Sequence, residues 1–358
     1  MRIIQMLPTF AYGDAIGNDT LALQDTLRKA GYETEIYADV IDAKLGKDAA
    51  KQIEEYRYKE EDIIFYHLST GSDLNYKITE YPGRRIIMYH NVTPPQFFKG
   101  FNPYAEKSCA DGLRAARYLA KKTDLCIVDS AFNKMDLLAM GYDCPMEVLP
   151  ILIAFDDYKK APDKKVIKAY DDDWVNIVFT GRVAPNKCPE DIIAAFYYYK
   201  KNIQPKSRLF LVGRYDGAPA YKVQLDAYVK QLELEDVYFT GHVKFDEILA
   251  YYHIADVFVC LSEHEGFCVP LVEAMYFGVP IIAYDSTAIG DTLGGSGLLL
   301  QDKSPAVVGE AIHMVTESKA LRNQLVKGEK ERLKDFAHDK IKKDFLEIMK
   351  KFLAEDKK

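Results

Sequence analysis

Apolar runs too short for helices alternate with longer amphipathic stretches along this chain, and they do so in two series. A strand that is apolar along its whole length is buried on both faces, so the alternation predicts parallel sheets with helices packed on each side. In the first series strands are expected at 2–7, 33–38, 62–68, 85–90, 125–129 and 147–151. In the second they are expected at 175–180, 208–212, 237–239, 257–261, 280–284 and 297–300. Between the series the chain turns polar and charged, ending in Asp171, Asp172 and Asp173. A length of 358 residues exceeds one ordinary core and suits two units of about 150 to 180 residues each. The expected division is an N-terminal domain over 1–156, a linker over 157–173, a second domain over 174–330 and a C-terminal amphipathic helix over 331–358. That helix should pack on the body through Phe336, Ile341, Phe345, Ile348 and Phe352. The expected fold class is α/β, two doubly wound Rossmann-like domains facing across a cleft.

Hydrophobic residues at 48% and charged residues at 28% leave ample core material and no polar excess that would disorder the chain. A formal net charge of −7 argues against a nucleic-acid partner, whose phosphates require clustered Lys and Arg. Six cysteines, Cys109, Cys126, Cys144, Cys188, Cys260 and Cys268, form no C-x-x-C pair and several lie in apolar runs, so reduced thiols in a cytosol are expected. The N-terminal apolar strand carries neither the basic segment nor the cleavage site of a secretory signal. No run approaches the roughly 18 apolar residues of a membrane span. A cytoplasmic protein is the expectation.

Residues 263–280 read Glu-His-Glu-Gly-Phe-Cys-Val-Pro-Leu-Val-Glu-Ala-Met-Tyr-Phe-Gly-Val-Pro. A strand ends near Ser262, Gly266 permits a tight turn, and Pro270 suits the first turn of a helix because it has no N–H to leave unsatisfied there. The free amides and positive dipole of that helix start favour phosphate, at the carboxyl end of a parallel strand where open α/β sheets bind ligands. Glu265 and Glu273, eight residues apart, are placed to accept hydroxyls of a sugar or ribose; the plainer alternative has Glu265 capping the helix and Glu273 solvated. In a second segment, 179–189, the strand runs into Gly181 and a Pro-initiated helix opens at residue 189, so Arg182 and Lys187 emerge together at a strand tip. Two cations aimed at one point suit a diphosphate and can neutralise charge developing on a nucleotide leaving group without metal; two solvated loop charges are the alternative.

Glu265-x7-Glu273, preceded by 257–262 and followed in order by Ala274-Met275, 278–282 and 294–297, resembles the signature of family 4 of the retaining glycosyltransferases, which have the GT-B fold. The resemblance implies that Glu265 contacts the transferred sugar and Glu273 the donor ribose, with the backbone of Gly266, Phe267, Cys268 and Val269 near sugar and phosphate. Cys268 stands where that family has glycine, and Gly290-Asp291 replaces a more common Pro-Glu. The same resemblance makes Arg182 and Lys187, after Gly181, the diphosphate-binding pair, and makes His242 and Val243 holders of the nucleobase through backbone groups. In the first half, His90 is a lone histidine at a strand end and on its own reads as structural; the resemblance gives it a contact with the donor sugar and adds it to Arg182, Lys187 and Glu265 as the expected catalytic set. Gly13 and Asp14, in a loop that lacks the family's usual Gly-Gly pair, are expected to approach donor phosphate and acceptor. Asn91, Ser130 and Asn133, at strand tips, are expected to line the acceptor side.

The D-x-D pattern of the chain, Asp171 to Asp173, falls in the expected linker, so no metal is expected, nor any cofactor beyond a nucleotide-sugar co-substrate. The implied reaction is a retaining, metal-independent transfer of a hexose from a nucleotide diphosphate to a saccharide or lipid-linked acceptor, driven by orientation and charge stabilisation. Residues 90–95 and 264–268 are most similar to bacterial polysaccharide and lipid-linked oligosaccharide transferases, which leans the donor toward GDP-mannose and leaves UDP-sugars open. A GT-B sugar-nucleotide epimerase, which would convert the donor alone, and a non-catalytic sugar-nucleotide-binding subunit are the competing readings. Phe97, Phe98, Lys99, Phe101 and Tyr104, followed by a helix over 114–122, either form core beneath a solvated charged face or meet a lipid-linked acceptor at the inner face of a membrane.

Overall fold

The computed structural model describes residues 2–46 and 48–354 and divides the chain into two compact units. One holds the chain up to Gln96, Tyr104–Phe155 and the segment from Phe336 onward; the other holds Phe97–Pro103 and Asp156–Asp335.

The elements of the first unit are β1 (Arg2–Phe10), α1 (Ala15–Lys29), β2 (Glu33–Ile41), β3 (Lys51–Gln52), β4 (Asp62–Leu68), α2 (Leu74–Lys77), β5 (Arg85–Tyr89), α3 (Pro103–Leu119), β6 (Leu125–Val128), α4 (Ala131–Ala139) and β7 (Met146–Val148). They build a parallel sheet of order β3-β2-β1-β4-β5-β6-β7. The sheet has one strand more than the apolar runs predict. The addition, β3, is two exposed residues at the edge and has no apolar signature. All seven residues of β4 are buried, as a central parallel strand covered on both faces requires. The order reverses between β1 and β4: β1 leads through α1 to one side, β4 through α2 to the other.

In the second unit come α5 (Lys164–Tyr170), β8 (Val175–Thr180), α6 (Pro189–Asn202), β9 (Ser207–Val212), α7 (Pro219–Gln231), β10 (Val237–Phe239), α8 (Phe245–Ile254), β11 (Val257–Cys260), α9 (Val269–Phe277), β12 (Ile281–Tyr284), α10 (Ile289–Leu293), β13 (Leu298–Leu300), α11 (Pro305–Glu317) and α12 (Lys319–Leu333). Its sheet is parallel throughout, in the order β10-β9-β8-β11-β12-β13, and reverses between β8 and β11. The polar stretch read as a linker contains a 3₁₀ turn, Phe155–Lys159, and α5, whose N-cap Asp163 accepts from the amides of Lys165 (2.7 Å) and Val166 (2.9 Å). From the aromatic stretch, Phe101 packs on Tyr221 with ring centroids 5.0 Å apart, while Tyr104 is 83% exposed.

The last helix, α13 (His338–Ala354), belongs to the first unit. Its buried face carries Ile341, Phe345, Ile348, Met349 and Phe352; Phe345 stacks on Phe65, and the Arg84 guanidinium lies 3.5 Å over the Phe352 ring. Each large side chain buried there stabilises by about 1.5–3 kcal/mol. Among the described residues no helix is long and apolar enough to cross a membrane.

Candidate functional site

In the second unit the predicted cations and the first predicted glutamate meet where the strand order reverses, the crevice at which open α/β sheets bind ligands. After β8 the chain turns at Gly181 (φ +141°), passes the exposed Arg182, and enters a 3₁₀ turn, Pro185–Lys187, before Pro189 opens α6. After β11 it forms the loop 261–268 and enters α9. Asn186 joins the two loops, donating from Nδ2 to the His264 carbonyl (3.0 Å) and accepting from the Glu263 amide (2.9 Å). Lys187 Nζ then lies 2.5 Å from Glu265 Oε2, with both side chains largely buried. Burial alone would depress the Lys187 ammonium, but the Glu265 carboxylate holds it above its ordinary range. Arg182 has no hydrogen-bond or ion-pair partner among the described residues, and its charge acts on Lys187. The Glu265 amide donates to Thr287 Oγ1 at 2.9 Å. Glu265 therefore does not cap α9; Cys268 occupies that position, in the left-handed region at φ +70° and without a side-chain cap.

Glu273, one turn into α9, is half-buried rather than solvated. Tyr158 donates to its Oε1 and Tyr252 to its Oε2, each at 2.7 Å, and Thr180 Oγ1 lies 2.5 Å from the Tyr252 hydroxyl. Burial raises the Glu273 carboxyl above its ordinary value, opposed by the two tyrosine hydroxyls. Each oxygen keeps a lone pair for a further donor. The sequence reading missed these tyrosines, since nothing near residue 273 signals a partner 115 positions away.

The neighbouring strand tips hold the remaining predicted residues of this unit. A Cβ on Gly213 (φ +150°) would stand 2.0 Å from the Gly181 carbonyl oxygen, so the tips of β8 and β9 touch through glycine alone. Thr240 Oγ1, after β10, accepts from the Gly213 amide at 3.3 Å. Exposed His242 and half-buried Val243 follow Gly241 at that tip. The tips of β10, β9, β8 and β11 thus present His242, Gly213, Arg182 and Glu265 in the order of the sheet.

In the first unit, Gly13 (φ +72°) and Asp14 are exposed after β1, and Asp14 caps α1 by accepting from the Ile16 amide. Ser130 caps α4; Asn91, in the left-handed region at φ +71°, donates to Asn133 Oδ1 at 2.8 Å, and Asn133 donates to the Tyr89 carbonyl. His90 is buried in a network the sequence reading did not foresee. Gln5 Nε2 donates to the Thr20 carbonyl, which turns Gln5 Oε1 toward His67 Nε2 at 3.0 Å. His67 Nε2 therefore carries the hydrogen, and His67 Nδ1 accepts from His90 Nε2 at 2.9 Å. His90 Nδ1 meets Asp129 Oδ2 at 3.0 Å, so both nitrogens of His90 have partners inside this unit. Burial works against the His90 cation, and Asp129 holds it above its ordinary value; burial pushes Asp19, beside them, up to about 7. One sequence signal pointed here, since Asp129 and His90 both end apolar strands.

Among the described residues three groups bring metal-ligating atoms together: Asp19, His67 and His90; Cys260, Glu265 and Cys268; Cys188, Asp191 and Glu263. The histidines of the first spend their facing nitrogens on each other. Lys187 occupies the carboxylate of the second, and Lys303 those of the third, at 2.6 Å from Asp191 and 2.5 Å from Glu263.

Residues 160–332 match the family described as glycosyl transferases group 1. The chain is 26% identical over 223 residues to a D-inositol 3-phosphate glycosyltransferase of Jonesia denitrificans, covering 60% of this chain and 51% of that one. It is 35% identical over 143 residues to a GDP-mannose-dependent alpha-mannosyltransferase of Mycolicibacterium smegmatis, covering 39% and 34%. The chain thus spans about half or less of the length of these curated relatives. A sucrose-phosphate synthase from Thermosynechococcus elongatus superposes with a TM-score of 0.77 at 17% identity, over 99% of this chain and 100% of that one. Both units have the parallel Rossmann-like fold of the GT-B glycosyltransferases, and over residues 160–332 the chain matches glycosyl transferases group 1.

Proposed function

We propose that this chain is a retaining, metal-independent glycosyltransferase that moves a hexose from a nucleotide diphosphate to a saccharide or lipid-linked acceptor. The observation that carries the reading is the Lys187–Glu265 pair beside exposed Arg182 at the switch point of the second sheet, next to the start of α9. Arg182 and Lys187 bind the diphosphate and stabilise the charge that develops on it as the glycosidic bond breaks. The amides of residues 266–269 and the α9 dipole add to that field. Glu265 accepts a sugar hydroxyl, and Glu273 accepts ribose hydroxyls through the lone pairs its tyrosines leave. The base lies along the backbone at His242 and Val243. The leaving phosphate oxygen takes the acceptor proton on the face that the acceptor attacks, which preserves the anomeric configuration without a protein nucleophile.

The match over residues 160–332 and the glycosyltransferase names of the curated relatives support this reading. The GDP-mannose-dependent relative supports GDP-mannose as the donor, with UDP-hexoses the alternative. A lipid-linked acceptor would place the enzyme at the inner face of a membrane in the cytoplasm. A thermal-shift panel of GDP, UDP and ADP with their hexose derivatives tests it, because a ligand at 100 times its Kd stabilises the folded state by about 2.7 kcal/mol. GDP and GDP-mannose should give the largest shifts, and NMR of the product should show the donor's anomeric configuration. No shift with any nucleotide overturns the proposal; conversion of donor without acceptor favours the epimerase.

A further inference from the structure

Cys260, the last residue of β11, and Cys268, the residue before α9, bracket the loop that carries Glu265, Gly266 and Phe267. Their sulfurs are 4.0 Å apart and both residues are buried. Cys268 sits at φ +70°, where a side chain is strained and glycine fits without strain. Its sulfur makes no helix-cap hydrogen bond that would explain a side chain there. Its neighbours are the Cys260 sulfur and the Lys187 ammonium; the hydrogen bond with Cys260 and burial push the Cys268 thiol well up, while the same hydrogen bond draws the Cys260 thiol below its ordinary value.

We infer that Cys260 and Cys268 form a redox-modification site, oxidised by a small hydroperoxide to a disulfide that closes the donor loop. The Cys260 thiolate attacks the O–O bond of the peroxide, giving a sulfenic acid and releasing hydroxide. Cys268, its thiol proton passing to hydroxide, then displaces a second hydroxide from that sulfur. Overall two thiols and one hydrogen peroxide give one disulfide and two waters, and the dithiol is the reductant. A disulfide needs its sulfurs about 2 Å apart, so closure draws Cys268 toward β11. That movement displaces the Gly266 and Phe267 amides and takes Glu265 away from Lys187. Nucleotide binding is lost, and a dithiol reductant restores it.

The functional consequence rests on the donor site proposed above, whereas the bond itself does not. A second close pair, Cys126 and Cys144 at 3.5 Å in the first unit, must be separated from it. The experiment treats the full chain with hydrogen peroxide, maps disulfides by mass spectrometry of non-reduced peptides, and reads GDP- and UDP-induced thermal shifts before and after dithiothreitol. The expected result is a Cys260–Cys268 peptide pair, loss of the nucleotide-induced shift and its recovery on reduction. Cys260→Ala should keep the shift and become insensitive to peroxide, while Cys126→Ala should stay sensitive. A disulfide mapped solely to Cys126–Cys144, over-oxidation of Cys260 without a disulfide, or equal sensitivity of Cys260→Ala overturns the inference. If the reduced protein shows no nucleotide shift at all, the donor-site reading falls and the peptide map still decides the disulfide.

Discussion

Lys187 and Glu265, 78 positions apart in sequence, hold each other 2.5 Å apart between the loops that follow β8 and β11. In the donor site proposed above, a bound diphosphate would compete with Glu265 for the ammonium. Arg182, on the same loop, is exposed and bonded to nothing described, so it is the cation least committed to the fold.

The two cations should therefore separate in stability and coincide in activity. Arg182→Ala should change stability by less than about 0.5 kcal/mol, whereas Lys187→Ala leaves a buried carboxylate unpaired and should cost about 3 kcal/mol. Both should lower transfer about 10²-fold or more. Urea denaturation and initial rates on the same preparations check this; wild-type transfer by the double variant would remove both residues from the chemistry.

Burial pushes two carboxyls, Asp19 in the first unit and Glu329 in the second, up to about 7. In each, one oxygen accepts a backbone amide and the other has no partner among the described residues. The folded chain then binds these protons more tightly than the unfolded chain, whose carboxyls titrate near 4. Their contribution to stability is full below about pH 4 and is lost as pH rises through about 7. Within that window each group should lower stability by up to about 1.4 kcal/mol per pH unit. Asp19→Asn and Glu329→Gln should each flatten the profile of unfolding free energy against pH; unchanged slopes would show the carboxyls to be hydrated.

Gly13 and Gly213 both have positive φ but differ in surroundings. A Cβ on Gly13 meets nothing within 4 Å, so Gly13→Ala should cost about 1 kcal/mol from the left-handed backbone alone. A Cβ on Gly213 would stand 2.0 Å from the Gly181 carbonyl, so Gly213→Ala must push the β8 and β9 tips apart at a cost of about 3 kcal/mol or more. Urea midpoints at constant m-value should rank the two variants in that order.

What could be read from sequence follows the range of the interaction. β4 and β10 fall on the predicted ranges because each is a short apolar run bounded by polar residues, and α6 starts at Pro189 because proline suits a first turn. The edge strand β3 has no apolar run, so no pattern could reveal it. Arg182, Lys187 and Glu265 were legible as types at strand tips, but their convergence depends on which strands are neighbours, and that is set by the sheet order. The partners of Glu273, and the Gln5–His67–His90–Asp129 network, lie far apart in sequence and have no local signature. The placement of Phe97–Pro103 with the second unit rests likewise on contacts such as Phe101 with Tyr221 and Asn102 with the Gly217 carbonyl.

Tyr252 offers the sharpest test of Glu273 as the ribose acceptor. Phenylalanine in its place keeps the stacking on Phe277, 5.1 Å away, and removes only the hydroxyl that donates to Oε2. A hydrogen bond to a charged group stabilises by about 1.5–3 kcal/mol, and without it burial should raise the Glu273 carboxyl further. An ionised Glu273 accepts ribose hydroxyls with both oxygens, and a protonated one offers fewer lone pairs. Tyr252→Phe should therefore raise the donor KM about tenfold with kcat little changed, and should move the acid limb of kcat/KM to higher pH. Tyr158→Phe, which frees Oε1, should do the same, and Glu273→Gln should remove the limb altogether. If Tyr252→Phe leaves both the donor KM and the pH profile as in the wild type, the tyrosines serve packing alone and Glu273 does not meet the donor.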